Sequence, residues 1–226
     1  MQVELLYHTP DPERAIATAA RLCYAPVGAA ELMETMPDEK VHNVLRTVLS
    51  SGHLSTLEHA SYTFAVDGVS RALTHQLVRH RLASYNQQSQ RYVKFKDGLE
   101  VVKPATVSED PELERVFDEA IEAAVEGYKK LLNAGVPAED ARYLLPNAAE
   151  TKIVITMNVR ELLHFFSLRG CNRAQWEIRE LAHRMIELAR PTAPYVFMDA
   201  GAPCVRGACP EGKMCCGNPY PKVVRD

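Results

Sequence analysis

The sequence predicts an α+β fold, a single domain with a mixed, largely antiparallel sheet flanked by helices. Three observations carry this. Short stretches rich in strand formers, at residues 3–7, 60–66 and 151–157, are spaced between longer runs with helical periodicity. The longest of those runs opens at Asp110-Pro111 and closes at Gly135, more than twice the length of a typical strand. No internal repeat and no linker interrupts the chain, so residues 1–200 read as one domain and residues 201–226 as a cysteine-rich tail.

The elements follow in order. Residues 3–7 are a first strand. Asp11 is an N-cap with Pro12 at the first helical position of a helix to about Tyr24. Val41, Val44, Leu45, Val48 and Leu49 repeat at helical spacing until Gly52 stops them, and residues 53–59 form a polar connector. The strand at 60–66 ends at Asp67-Gly68. Residues 70–82 suit a helix, residues 84–89 a loop and residues 90–95 an extended segment. In the long helix Leu113, Val116, Phe117, Ile121, Ala124, Val125, Tyr128, Leu131 and Leu132 make a buried stripe. A short helix over 137–145 stops at Pro146. Asn158 caps a helix ending near Gly170, with Glu161 at the capping-box position, and a last helix spans about 173–188.

Bulk properties exclude several classes. A chain of 226 residues with 46% hydrophobic and 24% charged residues has the composition of a globular protein, not a disordered one. No apolar stretch approaches the roughly 20 residues of a membrane span, and the N-terminus lacks a signal-peptide pattern. The expected location is the cytoplasm, with no membrane partner.

Charge is uneven. The net charge is −3, yet residues 71–96 contain no acidic residue while holding Arg71, Arg79, Arg81, Arg91 and Lys94 ahead of Lys96, with His75 and His80. Local positive charge on a near-neutral chain points to a bound anion. Arginine supplies the fork that fits phosphate and carboxylate, and the interleaved Ser84, Asn86, Gln87, Gln88, Ser89 and Gln90 add directional hydrogen bonds. On a regular helix Arg79 and Arg81 point to nearly opposite sides, which implies two anionic ligands or a helix that ends between them. A solvated polar loop is the plain alternative. A second polar set comprises Arg142, Asn158, Arg160, His164 and Arg169, and on composition alone an Asn158 cap, dipole compensation by Arg169 and a surface His164 account for it slightly better than a site does.

No nucleophile stands out. Cys23 and Cys171 lack a helical partner that would activate a thiolate, no G-x-S-x-G elbow surrounds Ser89, and neither G-x-G-x-x-G nor a P-loop is present. The tail spacing Cys204-x4-Cys209-x5-Cys215-Cys216 is not the paired C-x2-C of common zinc sites. No metal is expected there: reduced, unligated cysteines are the expectation, with a tetrahedral zinc site open if the tail folds back.

The run Arg79-His80-Arg81-x-x-Ser84-x-Asn86-x-x-Ser89-x-Arg91-Tyr92 resembles the R-H-R-x-x-S-x-N-x-x-S-x-R-Y signature of the flavin-dependent thymidylate synthases. Gly52-His53 with Glu58-His59, Ala141-Arg142 before Leu145-Pro146, and Leu168-Arg169 before Ala174-Gln175-Trp176-Glu177 resemble further landmarks in the same order, over roughly residues 3–189. The resemblance implies reductive methylation of dUMP to dTMP, in de novo dTTP synthesis, with methylenetetrahydrofolate as one-carbon donor and NADPH-reduced FAD as hydride source. It also implies a homotetramer with sites shared between subunits and no reliance on a cysteine nucleophile.

By motif position, the resemblance assigns dUMP to Gln76, Leu77, Val78, Arg79, Gln87, Gln88, Ser89, Gln90, Arg91, Arg142 and Arg169. It assigns FAD to His53, Ser55, Arg79, His80, Arg81, Gln87, Asn158, Val159, Arg160 and His164. Arg169 is the expected catalytic residue, its fixed cation stabilising charge on the uracil N3–C4=O side. Two positions depart from the pattern: Gln87 stands where many members have glutamate, and His164 where some have asparagine. The rival reading, a nucleic-acid-binding module, predicts binding that weakens steeply with salt, and the overall acidity and scarce aromatics weigh against it.

Overall fold

The computed structural model describes residues 1–95 and 98–220; residues 96, 97 and 221–226, the last of them the end of the expected tail, lie outside the described set. The secondary structure is that of an α+β protein. Strands β1 (Gln2–His8), β2 (Ser61–Ser70), β3 (Ala83–Gln87) and β4 (Glu150–Asn158) form one antiparallel sheet in the order β1-β2-β4-β3. Central β2 is buried along most of its length. In β4, Thr151, Ile153, Ile155 and Met157 are buried while the residues between them are more open, the period-two signature that identified the strand.

The helices are α1 (Pro12–Leu22), α2 (Ala29–Thr35), α3 (Asp38–Ser51), α4 (Arg71–Leu77), α5 (Ala105–Ser108), α6 (Pro111–Asn133), α7 (Ala138–Ala141), α8 (Val159–Arg169) and α9 (Trp176–Ala189). By internal contacts the chain divides into two compact units. The first takes in Met1–Gln2, Val66–Arg79 and Asn86–Ile153; the second takes in Val3–Ala65, His80–Tyr85 and Val154–Asp226.

Caps sit where the sequence places them. Asp11 accepts from the Arg14 N–H ahead of Pro12, Asp110 accepts from Glu112 and Leu113, and Asn158 Oδ1 accepts from the Glu161 N–H at 2.9 Å. Gly52, at φ 73°, ends α3 in the left-handed region where glycine carries no Cβ penalty.

Several expectations are corrected. The connector after Gly52 is a 3-10 helix, Leu54–His59, whose Leu57 is fully buried. Strand β2 continues through Asp67-Gly68, because Gly68 takes φ 70° and keeps the strand running close against Met1 N. Helix α4 stops at Leu77, five residues early, so neither Arg79 nor Arg81 is helical. The Val78 N–H already bonds the Thr74 and Gln76 carbonyls, and β3 begins at Ala83.

Strand and loop are exchanged just beyond. Residues 83–87 are extended and Gln88 N–H bonds the Lys152 carbonyl at 2.9 Å, whereas Val93 N–H folds back to Ser89 O at 3.0 Å, so residues 90–95 are not a strand. Helix α9 starts at Trp176 because Gln175 accepts from Glu177 and Ile178 N–H. Finally, the α6 stripe is not buried as a whole. Tyr128 is fully enclosed, but Leu113 and Val116 are 50% and 57% exposed and the rest are half-buried.

Candidate active site

In the second unit, three side chains form a relay. His80 lies just past the α4 end, and the loop carrying it is closed by the Tyr85 hydroxyl, which donates to the His80 carbonyl at 2.8 Å. Its imidazole is buried, edge-on to Phe165 with centroids 5.0 Å apart. Nδ1 meets Glu161 Oε1 at 3.0 Å, and Nε2 accepts from Arg169 Nε at 3.1 Å. Glu161 therefore does not complete a capping box with Asn158; its carboxylate is turned to His80 instead. Burial pulls the His80 pKa below the usual imidazole range, with the Arg169 charge adding to the effect and Glu161 opposing it.

This relay has a chemical consequence. A neutral His80 carrying its proton on Nδ1 satisfies both neighbours at once. Arg169, the last residue of α8, is thereby held by a ring that cannot rotate away without burying an unmet group. His80, Glu161 and His164 also converge within 4.8 Å. Both nitrogens of His80 are committed to protein partners, which argues against a metal at that point.

A cavity of about 950 Å³ opens in the same unit, lined by Leu54, Leu57, Leu82, Arg160, His164 and Arg206 among others. Its size falls at the upper end for ligand pockets. Apolar Leu54 and Leu82, both exposed, suit a planar ring, and the guanidinium groups suit phosphates. His53 and Ser55 flank Leu54 and are exposed, as are Arg81 and His164. The Arg160 guanidinium pairs with Glu58 at 2.5 Å. Asn158 spends its side chain on the α8 cap. Val159 is core, with its N–H bonded to Ala60 O at 2.9 Å, so its side chain offers no ligand surface.

The first unit carries the rest of the expected nucleotide set. The Gln87 amide donates to Thr74 Oγ1 at 3.2 Å and Thr151 Oγ1 at 3.3 Å, which gives an amide a role at a position where glutamate was the pattern. Arg91 grips the Glu139 carboxylate through Nε at 2.7 Å, while Arg142 Nε donates to the Glu139 carbonyl at 3.0 Å, so Glu139 brings these two arginines together. Ser89 Oγ accepts from the Arg91 N–H at 3.2 Å. Gln88 and Gln90 are half-buried, and Val78 and Arg79 are exposed. Gln76 is half-buried near the end of α4, and Leu77 is core.

One residue escaped the sequence reading. Arg71 donates from Nη2 to the Gln88 carbonyl at 2.9 Å, yet its Nε is buried without a partner among the described residues. Burial lowers its pKa and the neighbouring Arg142 charge lowers it further. Two like charges and an unmet donor form a site that an anion would relieve. The available signal was Arg71's place at the head of the acid-free stretch.

Fold and site together define a class: an α+β protein with an arginine- and histidine-rich anion site and a cofactor-sized cavity. The chain belongs to the thymidylate synthase complementing protein family, whose model matches residues 4–195. Among similar proteins is a flavin-dependent thymidylate synthase of Geobacter sulfurreducens, 57% identical over 96% of this chain and 94% of that one. Another, of the same name, from Clostridium tetani, is 47% identical over 96% of this chain and 93% of that one. A solved structure of the UMP/dUMP methylase PolB from Streptomyces cacaoi, bound with 5-Br dUMP, superposes with a TM-score of 0.76. It shares 27% identity and covers 87% of this chain and 92% of that one.

Proposed function

We propose that this chain is a flavin-dependent thymidylate synthase that methylates dUMP to dTMP in nucleotide biosynthesis. The observation that carries the reading is the Arg169–His80–Glu161 relay: a cation at the expected catalytic position, locked in orientation by a buried imidazole. The names of the relatives support the reaction and a flavin cofactor, and the dUMP-type methylase supports the substrate.

Bound FAD would supply the hydride that completes the methyl group, with NADPH as reductant and methylenetetrahydrofolate as carbon donor. The chain's own residues do the rest. Arg169 stabilises negative charge developing on the uracil N3–C4=O side without a proton transfer. Arg71, Arg91 and Arg142 receive the phosphate of dUMP, flanked by Gln76, Leu77, Val78, Arg79 and the run Gln87, Gln88, Ser89 and Gln90. FAD takes the cavity lined by Arg160 and His164; the family resemblance also assigns it His53, Ser55, Arg79, His80, Arg81, Gln87, Asn158 and Val159 by motif position.

The proposed assembly is a homotetramer with shared sites, and exposed Leu113 and Val116 on α6, with Tyr143 at 84% exposure, offer apolar surface for subunit contact. No described helix is long and apolar enough to cross a membrane, and we place the enzyme in the cytoplasm. We put the catalytic domain at residues 1–200 and the cysteine-rich tail beyond it.

The test is tritium release from carbon-5-labelled dUMP, with folate and NADPH supplied to FAD-reconstituted protein. Flavin-dependent release with dTMP formation is expected. Arg169→Ala should keep its flavin and lose most synthesis. Protein that cannot be reconstituted with flavin, or undiminished synthesis in Arg169→Ala, overturns the reading.

A further inference from the structure

The methylation reading leaves the C-terminal cysteines unused. Cys204, Cys209, Cys215 and Cys216 are all unbridged and, with Cys171, line a cavity of about 350 Å³ in the second unit. Each of the four tail sulfurs accepts a backbone N–H. Tyr220 N–H points at Cys204 Sγ at 3.4 Å, Gly217 N–H at Cys215 Sγ at 3.5 Å, and Asn218 N–H at Cys216 Sγ at 3.4 Å, while Glu211 N–H bonds Cys209.

In three of the four, the donor lies two residues after the cysteine. Such turns aim peptide dipoles at sulfur, which favours thiolate and orients it, as partners behind a metal ligand do. The Cys209 and Cys215 thiols are within hydrogen-bonding reach of each other, and Cys216 is within reach of Cys215. Arg173 places a positive charge near Cys215, and Glu211 is the one acidic side chain among the cavity's described lining.

We propose that Cys204, Cys209, Cys215 and Cys216 bind one zinc ion as a tetrathiolate site that closes the tail on itself, beside the loop after Arg169. Four thiols give up four protons and the dication joins four thiolates, leaving a net charge of −2 that Arg173 partly offsets. Cys215 and Cys216 are exposed, which suits a redox-inert ion better than an iron–sulfur cluster open to oxidants. Zinc–sulfur bonds of about 2.3 Å set the sulfurs roughly 3.8 Å apart. Among the described residues no three of these sulfurs lie mutually within 4.8 Å, so loading would have to draw the tail tighter.

The clamp has something to hold. Asn172 Nδ2 donates to the Asn218 carbonyl at 2.8 Å, Arg173 donates to the Met214 carbonyl, and His183 stands 3.0 Å from the Tyr220 hydroxyl. Gly170, next to Arg169, has no room for a Cβ: it would fall 2.7 Å from Phe166 O and 3.5 Å from Ala202 N. Arg169 itself lines the cysteine cavity. Zinc here would therefore brace the segment that carries the proposed catalytic cation.

The experiment strips the full-length protein with chelator under reductant, then titrates it with Zn²⁺ and, separately, Co²⁺. One metal per chain is expected, with sulfur-to-cobalt charge-transfer bands and the visible bands of a tetrahedral site. Cys209→Ser and Cys215→Ser should each weaken metal binding by roughly a hundredfold or more, whereas Cys171→Ser should not. Flavin absorbance reports folding of each variant. The proposal is overturned by a wild-type protein without cobalt–thiolate bands, by affinity unchanged in both serine variants, by iron and sulfide in place of zinc, or by a disulfide among the tail thiols in protein isolated under reductant.

Discussion

Arg169 donates its Nε–H to His80 Nε2 at 3.1 Å, and this bond sets the imidazole's tautomer. With Nε2 accepting, the proton sits on Nδ1, where Glu161 Oε1 receives it at 3.0 Å. A residue of the R-H-R motif and the last residue of α8, 89 positions apart, thus hold one another in place. Glu161 commits Oε1 to His80 and so positions it, and His80 in turn positions Arg169.

Glu161→Leu tests that role. It leaves the buried Nδ1–H without an acceptor, which costs about 1–3 kcal/mol of stability. It also frees the ring that orients Arg169, so kcat should fall by roughly tenfold, equivalent to about 1.4 kcal/mol in the barrier. Glu161→Gln keeps an acceptor oxygen and should recover most of both losses. Urea unfolding and steady-state kinetics check this; a variant that raises only KM, with kcat intact, would count against positioning of the catalytic cation.

The same buried ring makes stability depend on pH. His80 is held below the ordinary value of 6.5, mainly by burial, with Glu161, Arg169 and His164 facing it. Well above that value the ring is neutral in both folded and unfolded chains. As pH falls through it the unfolded chain takes up a proton that the folded chain refuses, so stability is lost there and not at higher pH. One proton contributes at most about 1.4 kcal/mol per pH unit. Midpoints of urea unfolding should therefore decline between about pH 7.5 and about pH 5, and His80→Gln should flatten that decline. An equal slope in the variant would assign the effect to other groups.

What was legible in the sequence was local. The Asp11 and Asn158 caps need only a side-chain oxygen and an amide three residues on, and both were read correctly. The α4 overshoot shows the limit: helical spacing continues past Leu77, but pairing of β3 with β4 takes the chain out of the helix. Polar β3 hid its strand nature because Ser84, Asn86 and Gln87 are ordinary loop residues. The R-H-R motif announced an anion site. That His80 pairs with Glu161 depends on a contact 81 residues apart, which no window along the chain contains.

Arg71 supplies a prediction for the nucleotide phosphate. Its buried, unmet Nε and the Arg142 charge beside it leave the site poorly compensated without an anion. Arg71→Gln should raise the KM for dUMP by roughly 10- to 100-fold, the worth of a charge-assisted hydrogen bond of about 1.5–3 kcal/mol. Stability without nucleotide should change little, because the substitution removes a like-charge neighbour. Competition by deoxyuridine, which has no phosphate, should be the same in wild type and variant. Equal loss for both ligands would place Arg71 away from the phosphate.

The exposed part of the α6 stripe bears on assembly. A 23-residue helix with apolar Leu113 and Val116 half or more exposed presents a face that the described residues do not cover. If that face joins subunits of the proposed homotetramer, Leu113→Lys with Val116→Lys introduces like charges across the contact and desolvates them on association. Sedimentation should then report smaller species at concentrations where the wild type remains tetrameric. Far-UV circular dichroism should be unchanged, because neither side chain belongs to the core. Tyr128→Ala is the contrasting control: that residue is fully buried, and truncating it should cost about 3–5 kcal/mol and reduce the melting temperature. Because the sites are proposed to be shared between subunits, dissociation by the double lysine variant should lower dTMP synthesis in parallel with the loss of tetramer. Full activity from a dissociated species would confine the active site to one chain.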